Sequence, residues 1–188
     1  ALGLVFKLVT GVSPVLAEEP RVVTSGWNMQ QDETVPGIYL NAGTVDLNGH
    51  TLAVEGNLIQ AGGTLYVHGG ALRVTGDYRL QTESGGTYTG GSGILKMTGA
   101  ADRVLVDGKF VTQSSANHRG LLTAGVLEAK GDFTILPGGA YNFAASGTHK
   151  VLLSGDGPQT VHFGRRESYL NLLEIQKTAP DGLCFEGR

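Results

Sequence analysis

Counting from glycine to glycine exposes the feature that most limits what this chain can become. Gly43-Thr44-Val45-Asp46-Leu47-Asn48-Gly49 matches Gly63-Thr64-Leu65-Tyr66-Val67-His68-Gly69, 20 residues further on. Leu52-Ala53-Val54-Glu55-Gly56-Asn57-Leu58 matches Leu72-Arg73-Val74-Thr75-Gly76-Asp77-Tyr78 at the same spacing. The second pattern returns at 104–110 and at 127–133, so its glycines fall at 56, 76, 108 and 131. Loops such as 83–91 absorb the longer intervals. A period near 20 with two strand-like runs is too short for helix-pair repeats or propeller blades, which take roughly 33 to 50 residues. It suits one rung of a β-solenoid.

Within each run the apolar residues sit two apart, as in Val45/Leu47, Leu65/Val67, Leu72/Val74 and Val104/Val106. Such alternation turns one face of a strand inward and the other to solvent. Glycine after each run allows a corner with positive φ, and Asn or Asp beside it suits the same corner. Equivalent positions of stacked rungs lie about 4.8 Å apart, so like apolar side chains fill one column. Leu58, Tyr78, Phe110 and Phe133, each two residues past an anchor glycine, are expected to form such a column near a corner. Glycine makes up 30 of the 188 residues and charged residues only 16 %, against a usual ~25 %. With 40 % hydrophobic residues the chain can still bury a core. The glycines lack the every-third spacing of collagen, and no amphipathic helix of 12 or more residues is readable between 40 and 165. The expected fold is all-β: a single-stranded, right-handed parallel β-helix with rungs of about 20 residues and an apolar N-terminal arm. Residues 1–40 are read as that arm with a capping or linker segment, and 41–188 as the solenoid. Its terminal rungs become atypical from about Asn142, where the anchor motif stops.

Residues 1–17, ALGLVFKLVTGVSPVLA, are the most apolar stretch and end abruptly at Glu18-Glu19-Pro20. Two readings compete. Val15-Leu16-Ala17 fits the small-x-small pattern of a secretory cleavage site. Val5, Lys7 and Val9 alternate as in a strand, which favours an arm that packs on its own body or on a neighbouring subunit. Lys7 and Pro14 interrupt a run shorter than the ~20 residues a bilayer needs, so no membrane span is expected. The 14 basic residues are scattered and the net charge is −3, without the basic patch that phosphate recognition requires. Nucleic acid is not an expected partner. Cys184 is the single cysteine, read as a free thiol with no assigned role.

The segments LNGHTLAVEGNLIQAGGTLYVHGGALRVTGDYRLQT, GILKMTGAADRVLVDGKFVTQS, GLLTAGVLEAKGDF, NFAASGTHKVLLSG and QTVHF keep one order and spacing. Over about residues 40–176 they resemble a module of large secreted or surface proteins of Gram-positive bacteria. The resemblance implies an extracellular β-solenoid, often beside repeat, adhesion or anchoring domains. It carries over no catalytic residue.

The search for chemistry yields little. Gly90-Gly91-Ser92-Gly93 lacks the Lys-Ser/Thr of a phosphate loop, and the glycine-rich turns lack the Asp of calcium-binding solenoids. His50, His68, His118, His149 and His162 show no metal-ligand spacing and are read as surface residues, His68 facing Asn48 of the adjacent rung in a polar ladder. Asp102, Ser114, Ser115 and His118 include the residue types of a hydrolase triad without a nucleophile elbow. Outward positions run Asp46 then Tyr66, and Glu55, Thr75, Asp107, Lys130, so carboxylates alternate with other types instead of pairing around a sugar cleft. Tyr66, Arg73 and Arg79 point outward and could meet a sugar. The expectation is a non-catalytic structural or adhesive module, secreted or on the cell surface, with no catalytic, metal or cofactor residues assigned. Its partners would be copies of itself, in a filament built through the arm, or a cell-surface glycan. A glycan-binding module is the alternative, and a polysaccharide lyase or hydrolase the third reading.

Overall fold

A computed structural model describes residues 19–177 and 182–187; the expected arm at 1–17 lies outside them. Among the described residues there are strands and no helix. The first rung comprises β1 (Arg21–Val23), β2 (Trp27–Asn28) and β3 (Glu33–Val35). The second has β4 (Ile38–Leu40), β5 (Thr44–Asp46) and β6 (Thr51–Val54), and the third β7 (Leu58–Gln60), β8 (Thr64–Tyr66) and β9 (Ala71–Val74). The fourth begins with β10 (Tyr78–Ser84), detours through β11 (Thr87–Gly90), and continues with β12 (Ile94–Lys96) and β13 (Arg103–Val106). Later rungs carry β14 (Phe110–Thr112) and β15 (Val126–Ala129), β16 (Phe133–Ile135) and β17 (Lys150–Leu153), then β18 (Gln159–Phe163) and β19 (Leu172–Ile175), before β20 (Leu183–Gly187).

The chain visits three sheets in rotation. The first sheet runs β1-β4-β7-β10-β14-β16-β18-β20, the second β2-β5-β8-β12, and the third β3-β6-β9-β13-β15-β17-β19. Neighbours along these paths are parallel, while β10 and β11 form an antiparallel hairpin. Bridges Met97↔Leu122 and Leu122↔Ala145 extend the line of the second sheet. These are the parallel sheets of a β-solenoid, with three strands in each of the first four rungs where the repeat suggested two. The strand missed is the one opening each rung, such as β7. Only Glu55-Gly56-Asn57 separates it from β6, so in sequence the two read as one run. Residues 21–40 supply β1 to β4, which pair in register with the strands that follow.

The expected column is present. Ile38, Leu58, Tyr78, Phe110, Phe133 and Val161 lie in register and are buried. Phe110 stacks on Phe133 at 5.0 Å and meets Tyr78 edge-on at 5.4 Å, and Phe143 closes the cluster. Leu52, Leu72, Val104, Leu127 and Val151 make a second column in the third sheet. Burying each such side chain contributes about 1.5–3 kcal/mol. The core also holds a polar knot. The Tyr78 hydroxyl donates to Gln60 Oε1 at 2.6 Å, and Gln60 Nε2 donates to the Ile94 carbonyl at 2.9 Å. Burial pushes the Tyr78 pKa up, which keeps that donor protonated.

Glycine serves two purposes here. Asn48 (φ 48°) and His68 (φ 46°), each followed by a positive-φ glycine, turn the left-handed corners that the sequence suggested for Asn-Gly. The anchors Gly56, Gly76, Gly108 and Gly131 have another reason. Gly76, Gly108 and Gly131 each donate their N–H to the carbonyl of the preceding anchor at 2.9–3.0 Å. A Cβ at Gly108 would lie 2.5 Å from the Gly76 carbonyl oxygen, so close backbone approach, not positive φ, requires glycine in this column.

Candidate functional site

The residues singled out for sugar contact do not converge. Tyr66 lies in the second sheet, Arg73 in the third and Arg79 in the first. Tyr66 is also occupied: His68 stacks on it at 4.5 Å, and Lys96 Nζ from the next rung sits 3.9 Å from its ring centroid. His68 Nδ1 is 3.0 Å from Asp46 Oδ1, so the polar ladder is real but runs to Asp46 instead of Asn48. Arg79 pairs with Asp77 at 2.7 Å and lies over Tyr88 at 4.3 Å. Only Arg73 is exposed, between Ala53 and Leu105 of the flanking rungs.

Two of the five histidines are buried, which corrects the surface reading. His118 accepts the Leu95 N–H on Nε2 at 3.2 Å, and burial pushes its pKa down to about 4. His149 is fully buried, packs edge-on against Phe143 and has no hydrogen-bond partner on either ring nitrogen. Burial likewise pushes its pKa down to about 4, against the pull of the Asp102 charge. A histidine inside a strand-rich core looks like a surface one in sequence, because period-2 patterning does not say which loops fold inward.

The triad residue types are committed to structure. Ser114 Oγ donates to the Gly93 carbonyl at 2.7 Å and accepts the Ala116 N–H. Asp102 is buried and accepts N–H bonds from Gly69, Thr98 and Gly99 at 2.6–3.0 Å, capping two turns. The outward series behaves as its mixed charges suggest: Lys130 Nζ lies 2.6 Å from Asp107 Oδ1. Among the described residues no group of three or more His, Cys, Asp or Glu could hold a metal. No described helix is long and apolar enough to cross a membrane, which says nothing of a β-barrel.

Two surface features went unread in the sequence. The first is a cleft of about 250 Å³ on the outer face of the first sheet, under the β10–β11 hairpin. Tyr39, Tyr88 and Ile59 give it apolar walls, and Glu83 and Asn57 add polar groups. The Tyr39 hydroxyl donates to the Glu83 carbonyl at 3.4 Å, tying hairpin to sheet. The hairpin signal, Glu83-Ser84-Gly85-Gly86-Thr87, was visible as a loop, but not the direction in which it folds.

The second feature is the difference between the ends of the stack. In the first rung Arg21 aligns with Ile38 and Glu33 with Leu52, so charged residues occupy the two apolar columns. They pair at 2.9 Å, and the Arg21 guanidinium lies 3.5 Å from the Trp27 ring centroid. One residue from each of the three strands thus makes a polar lid. At the far side of the described stack the columns continue as Leu173 and Ile175 in β19 and Phe185 in β20, which are 38 %, 49 % and 53 % exposed. Tyr169, aligned with Ala144, is exposed beside them. No protein-family model, no curated protein and no solved structure matches this chain.

Proposed function

We propose that this chain is a non-catalytic structural or adhesive module of secreted or cell-surface material, built as a right-handed, closed β-helix. The observation that carries the reading is the unbroken in-register pairing of the first sheet from β1 to β20. It leaves few backbone groups free to proteases or to a pulling force. The outward side chains support it, because they are spent on pairs within the stack: Arg79 with Asp77, Lys109 with Asp132, Lys130 with Asp107 and Lys150 with Glu174. The resemblance of residues 40–176 to Gram-positive surface modules supports the location. Limited proteolysis tests the mechanical part. Early cuts should fall in the 84–87 hairpin tip and at the chain ends, and rapid digestion between 92 and 135 would contradict it.

A second reading, glycan binding, is favoured by the cleft under the hairpin, where two tyrosines flank a carboxylate and an amide as sugar contacts often require. A glycan array settles it. Signal that drops at least tenfold in Tyr39→Ala and Tyr88→Ala would establish the second reading. An array with no signal leaves the structural one.

A further inference from the structure

We propose that the cleft under the β10–β11 hairpin takes a glycan bearing a free amino group, its ammonium paired with the Glu83 carboxylate. The proposal rests on the glycan-binding reading and names the class of sugar.

The hairpin builds the site. Glu83 and Tyr88 are partners across the β10–β11 ribbon. Directly opposed residues of an antiparallel pair project from one face with Cβ atoms roughly 5 Å apart, so a carboxylate and an aromatic ring stand side by side. On the first sheet the outward column runs Tyr39, Ile59, Arg79. Tyr39 and Ile59 of that column join Glu83 and Tyr88 in lining the cleft, whose volume of about 250 Å³ has room for a sugar ring.

The polar groups of the cleft are half committed. Glu83 Oε1 accepts the Gly86 N–H at 2.6 Å, which fixes the side chain and leaves Oε2 for a ligand. Asn57 Oδ1 accepts the Asp77 N–H at 2.9 Å, which leaves Nδ2 to donate to a sugar hydroxyl.

Charge then selects the sugar. Glu83 is the one charged residue among the described residues that line the cleft. The base beside it, Arg79, is already engaged. Its Nε and Nη2 donate to Asp77 Oδ2 at 3.1 and 2.7 Å, its Nη1 donates to Gln81 Oε1 at 3.2 Å, and its guanidinium lies over the Tyr88 ring. An acidic sugar would bring a second carboxylate to Glu83 with no free cation to meet it. A neutral sugar would take water from Oε2 and return a neutral hydrogen bond. An ammonium returns a charge-assisted bond, roughly twice as strong, and tyrosine rings within about 6 Å of a cation add to the attraction.

The test is isothermal titration calorimetry of the full-length chain with two oligosaccharides of equal length, one of glucosamine and one of N-acetylglucosamine, at a pH where the amine is protonated. The glucosamine oligomer should bind at least tenfold more tightly. Glu83→Gln keeps an oxygen for the Gly86 N–H and should erase that difference, while Tyr88→Ala should weaken both oligomers. Circular dichroism should show an unchanged β signature and melting midpoint for Glu83→Gln. On the unmodified chain, raising the salt to 0.5 M should remove most of the glucosamine advantage; an advantage that persists overturns the proposal without any variant. The chain carries a net charge of −3, so a polycation can adhere elsewhere on it, and glucosamine binding that Glu83→Gln leaves unchanged also overturns the proposal. Equal or tighter binding of the acetylated oligomer overturns it too, and the glycan reading survives if that binding falls in Tyr88→Ala. Binding of neither oligomer overturns the proposal, and a silent glycan array then removes the reading beneath it.

Discussion

Over Ile38 and Leu52 the first described rung places Arg21 and Glu33, whereas over Val161 and Val151 the last described strands, β20 and β19, place Phe185 and Leu173. Both rungs belong to one stack and obey one register. The difference shows what a solenoid must do at an end. Each inner rung repeats the apolar pattern because its neighbours on both sides demand it. A terminal rung has one neighbour, so its inward side chains face water unless the pattern is broken or something covers it. The first rung breaks the pattern with an ion pair laid over Trp27, and Val23, Met29 and Val35 beneath remain buried. The last described strands, β19 and β20, keep the pattern, and Leu173, Ile175 and Phe185 there are exposed.

Acid should probe this comparison most strongly. His118 and His149 lie between the fourth and sixth rungs, nearer β19 and β20, and their folded pKa values are pushed down to about 4 from 6.5. The unfolded chain therefore binds more protons between those values, so stability is complete above pH 6.5 and is lost as pH falls toward 4. The loss is about 3 kcal/mol per histidine. A protonated His118 could no longer accept the Leu95 N–H. Hydrogen exchange at pH 5 should show β15, β17 and β19 losing protection before β3 and β6; uniform loss would mean that the ends are equivalent.

A matched pair of truncations comes next. Phe133→Ala should cost about 3–5 kcal/mol in chemical denaturation, while Phe185→Ala, in the same column but half in water, should cost less than about 1. Equal losses would show that the last rung is covered in solution. Gly76→Ala should cost about 1–3 kcal/mol, because the new Cβ meets the Gly56 carbonyl oxygen at 2.7 Å and every rung beyond must shift. Smallest is Glu33→Gln. The pair is partly exposed, so a loss of up to about 1 kcal/mol in thermal unfolding is expected, and a larger one would make the lid a main source of stability.

Much of this fold was legible because parallel stacking imposes sameness. The alignment of Leu58, Tyr78, Phe110 and Phe133 could be read two residues past each anchor glycine, since any other residue type there would disrupt its neighbours in the column. The candidate surfaces were far less legible. Tyr66, Arg73 and Arg79 all alternate outward, yet they belong to three sheets. Nothing in a period of two tells one sheet from the next when the corner between strands is as short as Glu55-Gly56-Asn57. His118 and His149 sit where loops of irregular length fold over the core, and no repeat marks their burial.

Alone, the order of residues determined the rung, its inward columns and the glycines at its corners, because these follow from alternation and from contact between equivalent positions. Tertiary structure decided the third strand of the first four rungs, the inward turn of two histidines and the contrast between the polar first rung and the exposed apolar last strands among the described residues. Those depend on which residues from distant parts of the chain come to lie over one another. Arg21 and Glu33 form a lid because they lie over Ile38 and Leu52 in the first described rung, and Phe185 is exposed where it lies over Val161 in the last described strand.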